Sequence, residues 1–461
     1  MKKRLVAGVD SSTQSVKVVV RDLETGELVR EARGSHPDGT EIDPAIWWDE
    51  LTKSLSGLLD DVEAIGVGAQ QHGMVVVDDN KNVVRSALLW NDTRSAQAAE
   101  DLIQELGGRK NWAKETGSVP LAAFTVTKLR WFQEHEPELA KKASAVMLPH
   151  DYLTWKLAGA KNNPMTDRGD ASGTGYFSAS ENKYKKDLLK LAFSRELMVP
   201  EIAAPNAIIG ETSDGIKLSA GTGDNMAAAL GLGAQSGDVV VSLGTSGTAY
   251  AVSDVPSFDE SGIVAGFADA TGKYLPLACT LNAARIITAA AQVLKVDLEE
   301  FARLALASQP GAGGLVLLPY LDGERTPNLP NATGSLFGMT RENMTPENFA
   351  RAAIEGMLCG LADAVNALVE LGVTPEKVSL IGGAAASPAV QKIAATLFKV
   401  PIAVPPVAEY VADGAARQAA WALSGSQNPP NWQIGDTLLI ESNYQPEVLE
   451  AYSASFNSLH G

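Results

Sequence analysis

The sequence predicts an α/β protein of two domains that share one plan. Three observations carry this expectation. At 461 residues the chain exceeds the length at which one hydrophobic core usually stops growing. Strand-like runs alternate with helical ones along most of it. Two stretches, "RLVAGVDSSTQSVKVVVRD" near the start and "GDVVVSLGTSGTAYAVSD" from Gly237, repeat one design: an apolar strand, a hydroxyl-rich turn and a returning strand. Their identity is slight, so it is the shared design that suggests a duplicated architecture with a cleft between the copies. A boundary near residue 219 gives domains 1–219 and 220–461, the last helix being a candidate to pack back on the first domain.

After the first hairpin, "DLETGEL" supplies a second turn, and "AIGVGAQ" reads as a strand followed by a polar turn and "MVVVDD". The segments Ala96 to Leu106 and Thr127 to His135 have helical patterning. The clearest helix runs from Pro346 to Leu371, with Thr345 as cap, Pro346 in the first turn and Gly372 beyond its end. Its Ile354, Met357, Leu358, Leu361, Val365 and Leu368 recur at helical spacing, which predicts a buried core helix. "KVSLIGGAAASPAVQKIAATLF" then reads as a strand, a double-glycine turn and a helix capped by Ser387.

With 45% hydrophobic and 20% charged residues the composition is that of an ordinary soluble globular protein. A formal net charge of -17 and a pI near 4.8 argue against a broad nucleic-acid or anionic-lipid footprint. Any phosphate ligand must therefore be held locally, by backbone amides, a few cations and a metal. The apolar run near the N-terminus meets Asp10 too early for a signal-peptide core, and no uninterrupted apolar run reaches the ~18 residues of a membrane span. Cys279 and Cys359 show neither metal-ligand spacing nor a disulfide framework, so a cytoplasmic location is expected.

Common nucleotide and hydrolase motifs are missing. No G-x-x-x-x-G-K-[ST] occurs, "GLGAQS" breaks G-x-G-x-x-G at its last position, and "SLGTSGT" misses G-x-S-x-G because position 248 is Thr248. The turns "DSSTQS" and "GTSGT" nevertheless suit phosphate, since small residues admit an anion to the backbone amides and hydroxyls add donors. Either turn alone reads as an ordinary hairpin; one in each half makes phosphate binding the better reading. Asp10, ending the first strand, is placed to hold Mg²⁺ directly or through water. "GAQQHGM" and "LLWNDTRS" contribute Gln70, Gln71, His72, Trp90, Asn91, Asp92 and Arg94 after strand-like runs, a set that can hydrogen-bond a polyol and stack on its C–H face. "SAGTGDNMAAALGLG" puts Asp224 between a glycine-rich turn and a helix, where it is either a cap or a chemical group.

These motifs together resemble the FGGY carbohydrate kinases. "GVDSSTQSVK" resembles that family's first phosphate motif, "SLGTSGT" its second and "LIGGAAASP" its adenosine motif. "FTVTKLRWFQEH", from Phe124, is similar to the first family signature, with Ala123 departing from the residue usual at its start; "GSLFGMTRENMTPENFARAAIEG", from Gly334, is similar to the second. The motifs follow the expected order over nearly the whole chain. The resemblance implies two actin-like ATPase (ribonuclease H-like) domains with the active site in the cleft, ATP and Mg²⁺ as cofactors, and Asp224 as the catalytic base. It implies ATP contacts from Ser12, Thr13, Lys17, Gly244, Thr245, Ser246, Gly382, Gly383 and Ala384, metal positioning by Asp10, and sugar contacts from Gln70, Gln71, His72, Trp90, Asp224 and Asn225. Glu324 and Arg325 are implied to lie near the cleft, with no role assigned.

Within the family, "QQHG", "LWNDTR", "GTGDN" and "YLDGERTPNLPNATGSLFG" are most similar to the versions in members that act on D-xylulose, which would give D-xylulose 5-phosphate and ADP. Gln71 departs from the Met common there. A kinase for another ketose, a polyol such as glycerol, or gluconate would share the ATP motifs and differ around Gln70 to Met74, Trp90 to Arg94 and Asn282. An actin-like ATPase or sugar sensor would need the hairpins but neither Asp224 nor the polyol cluster. The expected partners are a small sugar and ATP, with no nucleic acid and no membrane. The family often forms dimers, although no stretch here reads as a homodimer interface.

Overall fold

Branched residues suit extended backbone and "SSTQ" turns the chain, so the first hairpin forms locally. In the computed structural model, which describes residues 3–433 and 435–460, β1 (Leu5–Ser11) and β2 (Ser15–Asp22) pair antiparallel, with Ser11 opposite Val16 and Asp10 opposite Lys17. Asp22 then closes the next turn by accepting from the N–H groups of Glu24 and Thr25, and β3 (Leu28–Ser35) returns antiparallel to β2. On the other side of β1, β4 (Val62–Ala69) runs parallel to it. Beyond lie β5 (Ile208–Glu211), β6 (Lys217–Ser219) and the short β7 (Thr222–Gly223); β6 and β7 both run parallel to β4. The strand order is β5-β6-β4-β1-β2-β3.

Alternation of side chains gives this sheet two buried faces. One face, with Val16, Val18, Val20, Ile65 and Val67, packs with Trp47 and Leu51 of the helix Pro44–Leu55. The other face meets Ala412, Ala416 and Ala419 of the helix Tyr410–Ser424 through Val6, Val19 and Ala64. That helix also packs on the helix Asp224–Gly231, and there the backbones touch: a Cβ on Gly414 would lie 1.8 Å from the Ala227 carbonyl oxygen. Only glycine allows such an approach.

The chain divides into two compact units, 1–234 with 254–275 and 408–433, and 235–253 with 276–407 and 434–461. The segment that returns to the first unit thus carries the alanine-rich helix Tyr410–Ser424. The last helix, Pro446–His460, belongs instead to the second unit, where its Tyr452 hydroxyl is 3.0 Å from that of Tyr320.

In the second unit β8 (Asp238–Leu243) pairs antiparallel with β9 (Gly247–Ala251), which pairs antiparallel with β10 (Tyr274–Thr280). β11 (Lys377–Ile381) runs parallel to β8, β12 (Ile402–Val404) parallel to β11, and β13 (Leu438–Ile440) antiparallel to β12. The order β13-β12-β11-β8-β9-β10 repeats that of the first unit strand for strand. This is the duplicated α/β plan that the two hairpins predict. The helix Pro346–Glu370 starts as expected, with the Thr345 side chain accepting from the Asn348 N–H. It is long and apolar enough to cross a membrane, but 72% of its most apolar window is buried inside the protein, which makes it a core helix.

Candidate active site

Parallel strands end at one edge of a sheet, and ligands of open α/β sheets collect there. In the first unit that edge gathers three chain segments. The Gln70 N–H donates to the Ser11 carbonyl at 3.1 Å, and Thr222 and Gly223 pair with Gly68 and Ala69. The ends of β1, β4 and β7 therefore deliver Asp10 to Thr13, Gln70 to His72, and Asp224 with Asn225.

Asp224 is not the cap. Gly223 takes that position with extended backbone, and Asp224 is the first residue of the helix Asp224–Gly231. Its Oδ1 accepts from the Asn225 backbone N–H at 2.8 Å and from Asn225 Nδ2 at 2.9 Å. Both bonds fall on one oxygen, so Oδ2 keeps its lone pairs for another partner. Burial first, and the Asp10 charge second, push the Asp224 carboxyl up to about 7. A carboxylate poised near neutrality is suited to accept a proton in a transition state.

Around it stands a set of polar groups on an apolar floor. Asn225 Nδ2 also donates to Gln71 Oε1 at 3.0 Å. Gln70 and Gln71 are only 1% and 4% exposed, yet both amide atoms of Gln70 and Nε2 of Gln71 have no hydrogen-bond partner among the described residues. Buried amides are ordinarily satisfied, so these atoms keep hydrogen-bonding capacity for a further partner. His72, with φ at +68°, donates from Nδ1 to the Gly173 carbonyl at 2.6 Å, which fixes its ring. The ring stacks on Phe124 at 4.8 Å and tilts against Phe267 at 5.6 Å. Trp90 Nε1 donates to Thr13 Oγ1 at 2.9 Å, tying the second polar loop to the hairpin turn.

Asp92 and Arg94, read from sequence as part of the polyol cluster, brace that loop instead. Asp92 accepts from Thr40 Oγ1 at 2.8 Å and from Arg94 Nε at 2.9 Å, and Arg94 also pairs with Glu41 at 2.9 Å. Asn91 Nδ2 donates to the Gly39 carbonyl at 3.2 Å.

At the hairpin, Asp10 is buried and its Oδ1 has no partner among the described residues. Lys17 Nζ lies 3.6 Å from Asp10 Oδ2 and 2.6 Å from Glu409. Burial pushes the Asp10 carboxyl up to about 6, with Lys17 opposing the shift and Glu409 adding to it. Ser12 Oγ donates to the Ser15 carbonyl at 3.0 Å, closing the turn. No group of three or more His, Cys, Asp or Glu that could hold a metal occurs among the described residues. Mg²⁺ that arrives with phosphates needs only one or two carboxylates, and the unpartnered Oδ1 of Asp10 fits that demand.

The second unit offers backbone where the first offers side chains. Gly244 to Ser246 follow β8, and Gly382 to Ala384 follow β11, its parallel neighbour. At Gly382, φ is +88° and a Cβ would lie 2.8 Å from the Leu243 carbonyl, so the turn requires glycine. The Gly244 and Thr245 carbonyls accept from Ala284 N–H at 2.9 Å and Arg285 Nε at 3.2 Å. Glu324, unassigned from sequence, is a buried pin: it accepts from Leu281 N–H at 2.6 Å, Asn282 Nδ2 at 2.9 Å and Arg325 N–H at 2.7 Å. Asn282 in turn holds the Gly323 carbonyl at 2.7 Å.

Residues 5–237 match the N-terminal domain, and residues 239–423 the C-terminal domain, of the FGGY family of carbohydrate kinases. The chain belongs to that family and is an enzyme that phosphorylates a carbohydrate, with ATP as the donor that a kinase implies. Among its relatives, the xylulose kinase of Streptomyces coelicolor is 46% identical over 91% of this chain and 88% of that protein. The xylulose kinase of Streptomyces rubiginosus is 44% identical over the same shares. The crystal structure of xylulose kinase from Bifidobacterium adolescentis matches with a TM-score of 0.92 at 44% identity, over 99% of this chain and 100% of that one.

Proposed function

We propose that this enzyme transfers the terminal phosphoryl group of MgATP to D-xylulose, giving D-xylulose 5-phosphate and ADP, with Asp224 as general base. The observation that carries the mechanism is the Asp224 carboxyl, held through one oxygen beside the unpartnered amide of Gln70 and the unpartnered Nε2 of Gln71. Near-full-length similarity to xylulose kinases supports the sugar. Gln70, Gln71, His72, Trp90 and Asn225 hold the ketose, and Asp224 Oδ2 accepts the proton of its terminal hydroxyl. As the sugar hydroxyl oxygen bonds to the γ-phosphorus, the bond from phosphorus to the β,γ-bridging oxygen breaks and ADP leaves.

Such transfers have loose transition states, so alignment and electrostatics supply most of the rate. Ser12, Thr13, Lys17, Gly244, Thr245 and Ser246 donate to phosphate oxygens, and Gly382, Gly383 and Ala384 receive the adenosine. Asp10 would hold Mg²⁺, which would neutralise phosphate charge. The reading expects a cytoplasmic enzyme, and the family's frequent dimers make a homodimer the state to look for.

A second reading keeps the kinase and changes the acceptor. The buried, unpartnered Nε2 of Gln71 favours it, because that donor suits a further oxygen on another ketose, a polyol or gluconate. The test is ADP release with MgATP across D-xylulose, D-ribulose, L-ribulose, L-xylulose, glycerol and gluconate, beside Asp224→Asn. Selective stimulation by D-xylulose that the variant loses is expected. Stimulation by another compound selects the second reading, and no stimulation by any of them sinks both.

A further inference from the structure

Four ionisable side chains lie buried beneath the turn that delivers Asp224: His150, Asp151, Asp167 and Asp170. His150 Nδ1 is 2.6 Å from Asp170 Oδ2, and its Nε2 is 3.2 Å from Asp151 Oδ1. The Nδ1 contact is a hydrogen bond, whereas Nε2 and Asp151 Oδ1 face each other as an ion pair without hydrogen-bond alignment; a carboxylate on each side of the ring favours its imidazolium form. Burial alone would discharge the ring, but Asp151, Asp170 and Asp167 outweigh it and carry His150 up to about 9. The Tyr176 and Tyr184 hydroxyls near these carboxylates are pushed upward by burial and stay protonated. Asp167 is fixed further by the N–H groups of Gly169 at 2.8 Å and Asp170 at 2.9 Å, and Asp151 by the Leu148 N–H at 2.8 Å.

The three residues ahead of Asp224 rest on this cluster one by one. Gly221, at φ +73°, lies against the imidazole, since a Cβ there would be 2.6 Å from His150 Cδ2. Thr222 Oγ1 donates to Asp167 Oδ2 at 2.8 Å. Gly223 abuts Asp170: a Cβ there would lie 3.0 Å from Asp170 Oδ1, an atom with no hydrogen-bond partner among the described residues. From the other side, Gln418 accepts from the Gly221 N–H at 2.9 Å and donates to its carbonyl at 3.1 Å. Taking the cation from such a cluster leaves buried carboxylates uncompensated, which is costly, whereas another cation leaves the balance intact.

We propose that His150 is a positioning residue for phosphoryl transfer: as the cation among three buried carboxylates, it holds Asp167 and Asp170 in place, and through them the 221–223 backbone that sets where Asp224 stands. The proposal rests on the reading of Asp224 as the base. It is tested by steady-state kinetics with D-xylulose and MgATP on the wild type, His150→Gln, His150→Lys and Asp224→Asn, with a melting curve for each. His150→Gln is expected to lower kcat tenfold or more while the KM for MgATP stays within twofold. His150→Lys, which restores the cation, is expected to keep kcat within threefold of the wild type. A folded His150→Gln enzyme with kcat within twofold of the wild type, beside an inactive Asp224→Asn, overturns this proposal and leaves the base standing. An Asp224→Asn enzyme as fast as the wild type overturns both. Should His150→Gln not fold, His150→Lys decides: a folded protein at near-normal kcat supports the role of the cation, and a folded but slow one contradicts it.

Discussion

The hairpins β1–β2 and β8–β9 occupy the same place in two sheets of the same strand order, yet they carry different chemistry. Counted from the turn, the pair Asp10 and Lys17 in the first corresponds to Ser242 and Thr248 in the second. The first copy has a buried carboxylate, an ammonium and Glu409 beside them; the second has hydroxyls. The difference recurs one strand over. After β4 come Gln70, Gln71 and His72, with polar side chains, whereas after β11 come Gly382, Gly383 and Ala384, which offer almost only backbone. The fold thus supplies amide-lined turns twice, and the residues at the strand ends decide the use. The side chains proposed to move a proton and recognise hydroxyls belong to one unit, and a glycine turn that admits close approach belongs to the other.

Substitutions at the equivalent hairpin positions, Asp10 and Ser242, should differ most in effect. Asp10→Ala is expected to lower kcat about 10²-fold, the scale of losing one electrostatic contributor to a transition state. Ser242→Ala should stay within about threefold, as loss of one neutral hydrogen bond predicts. Equal effects in an ADP-release assay would erase the distinction between the hairpins.

The pH dependence is the next largest effect. Asp224, with its carboxyl raised to about 7, is protonated below that pH and then cannot accept a proton. kcat/KM for the sugar, which reports the free enzyme, should therefore rise tenfold per pH unit up to about 7 and level off above it. A flat profile between pH 5 and pH 8 would remove the carboxylate from the rate equation.

Smaller still is the effect in the second unit. Gly382→Ala places a Cβ at positive φ and against the Leu243 carbonyl, strain worth about 1–3 kcal/mol. The KM for ATP is expected to rise while the KM for the sugar holds. Trp90→Phe keeps an aromatic face but loses the bond to Thr13, about 1 kcal/mol. Its expected signature is a rise of about fivefold or less in the sugar KM, with kcat little changed.

The strands, the two hairpins and the long core helix were legible because their signals are local: branched runs, turn residues, and a cap followed by proline. Asp224 stood out for the same reason, one carboxylate between glycines and a helix, although its cap position belongs to Gly223. Groups that tertiary packing alone assembles were not legible. "PHDYL" and "TDRGDASG" look ordinary, and only the fold brings His150, Asp167 and Asp170 under residues 221–223. Phe267 reaches His72 from a distant segment. Asp92 and Arg94 resembled ligand groups because their partners, Thr40 and Glu41, lie far outside their window. Glu324 could not be assigned for the same reason, since the amides it holds come from Leu281 and Asn282 as well as its own loop.

In the proposed mechanism one carboxylate of the first unit, Asp224, takes the proton of a sugar hydroxyl. The most direct measurement is the rate of ADP release from MgATP with saturating D-xylulose, for the wild type and for folded Asp224→Asn with matched ATP binding. A strong stimulation by the sugar in the wild type and a loss of about 10² to 10⁴ in the variant are expected. An Asp224→Asn enzyme that keeps the wild-type rate would contradict that mechanism.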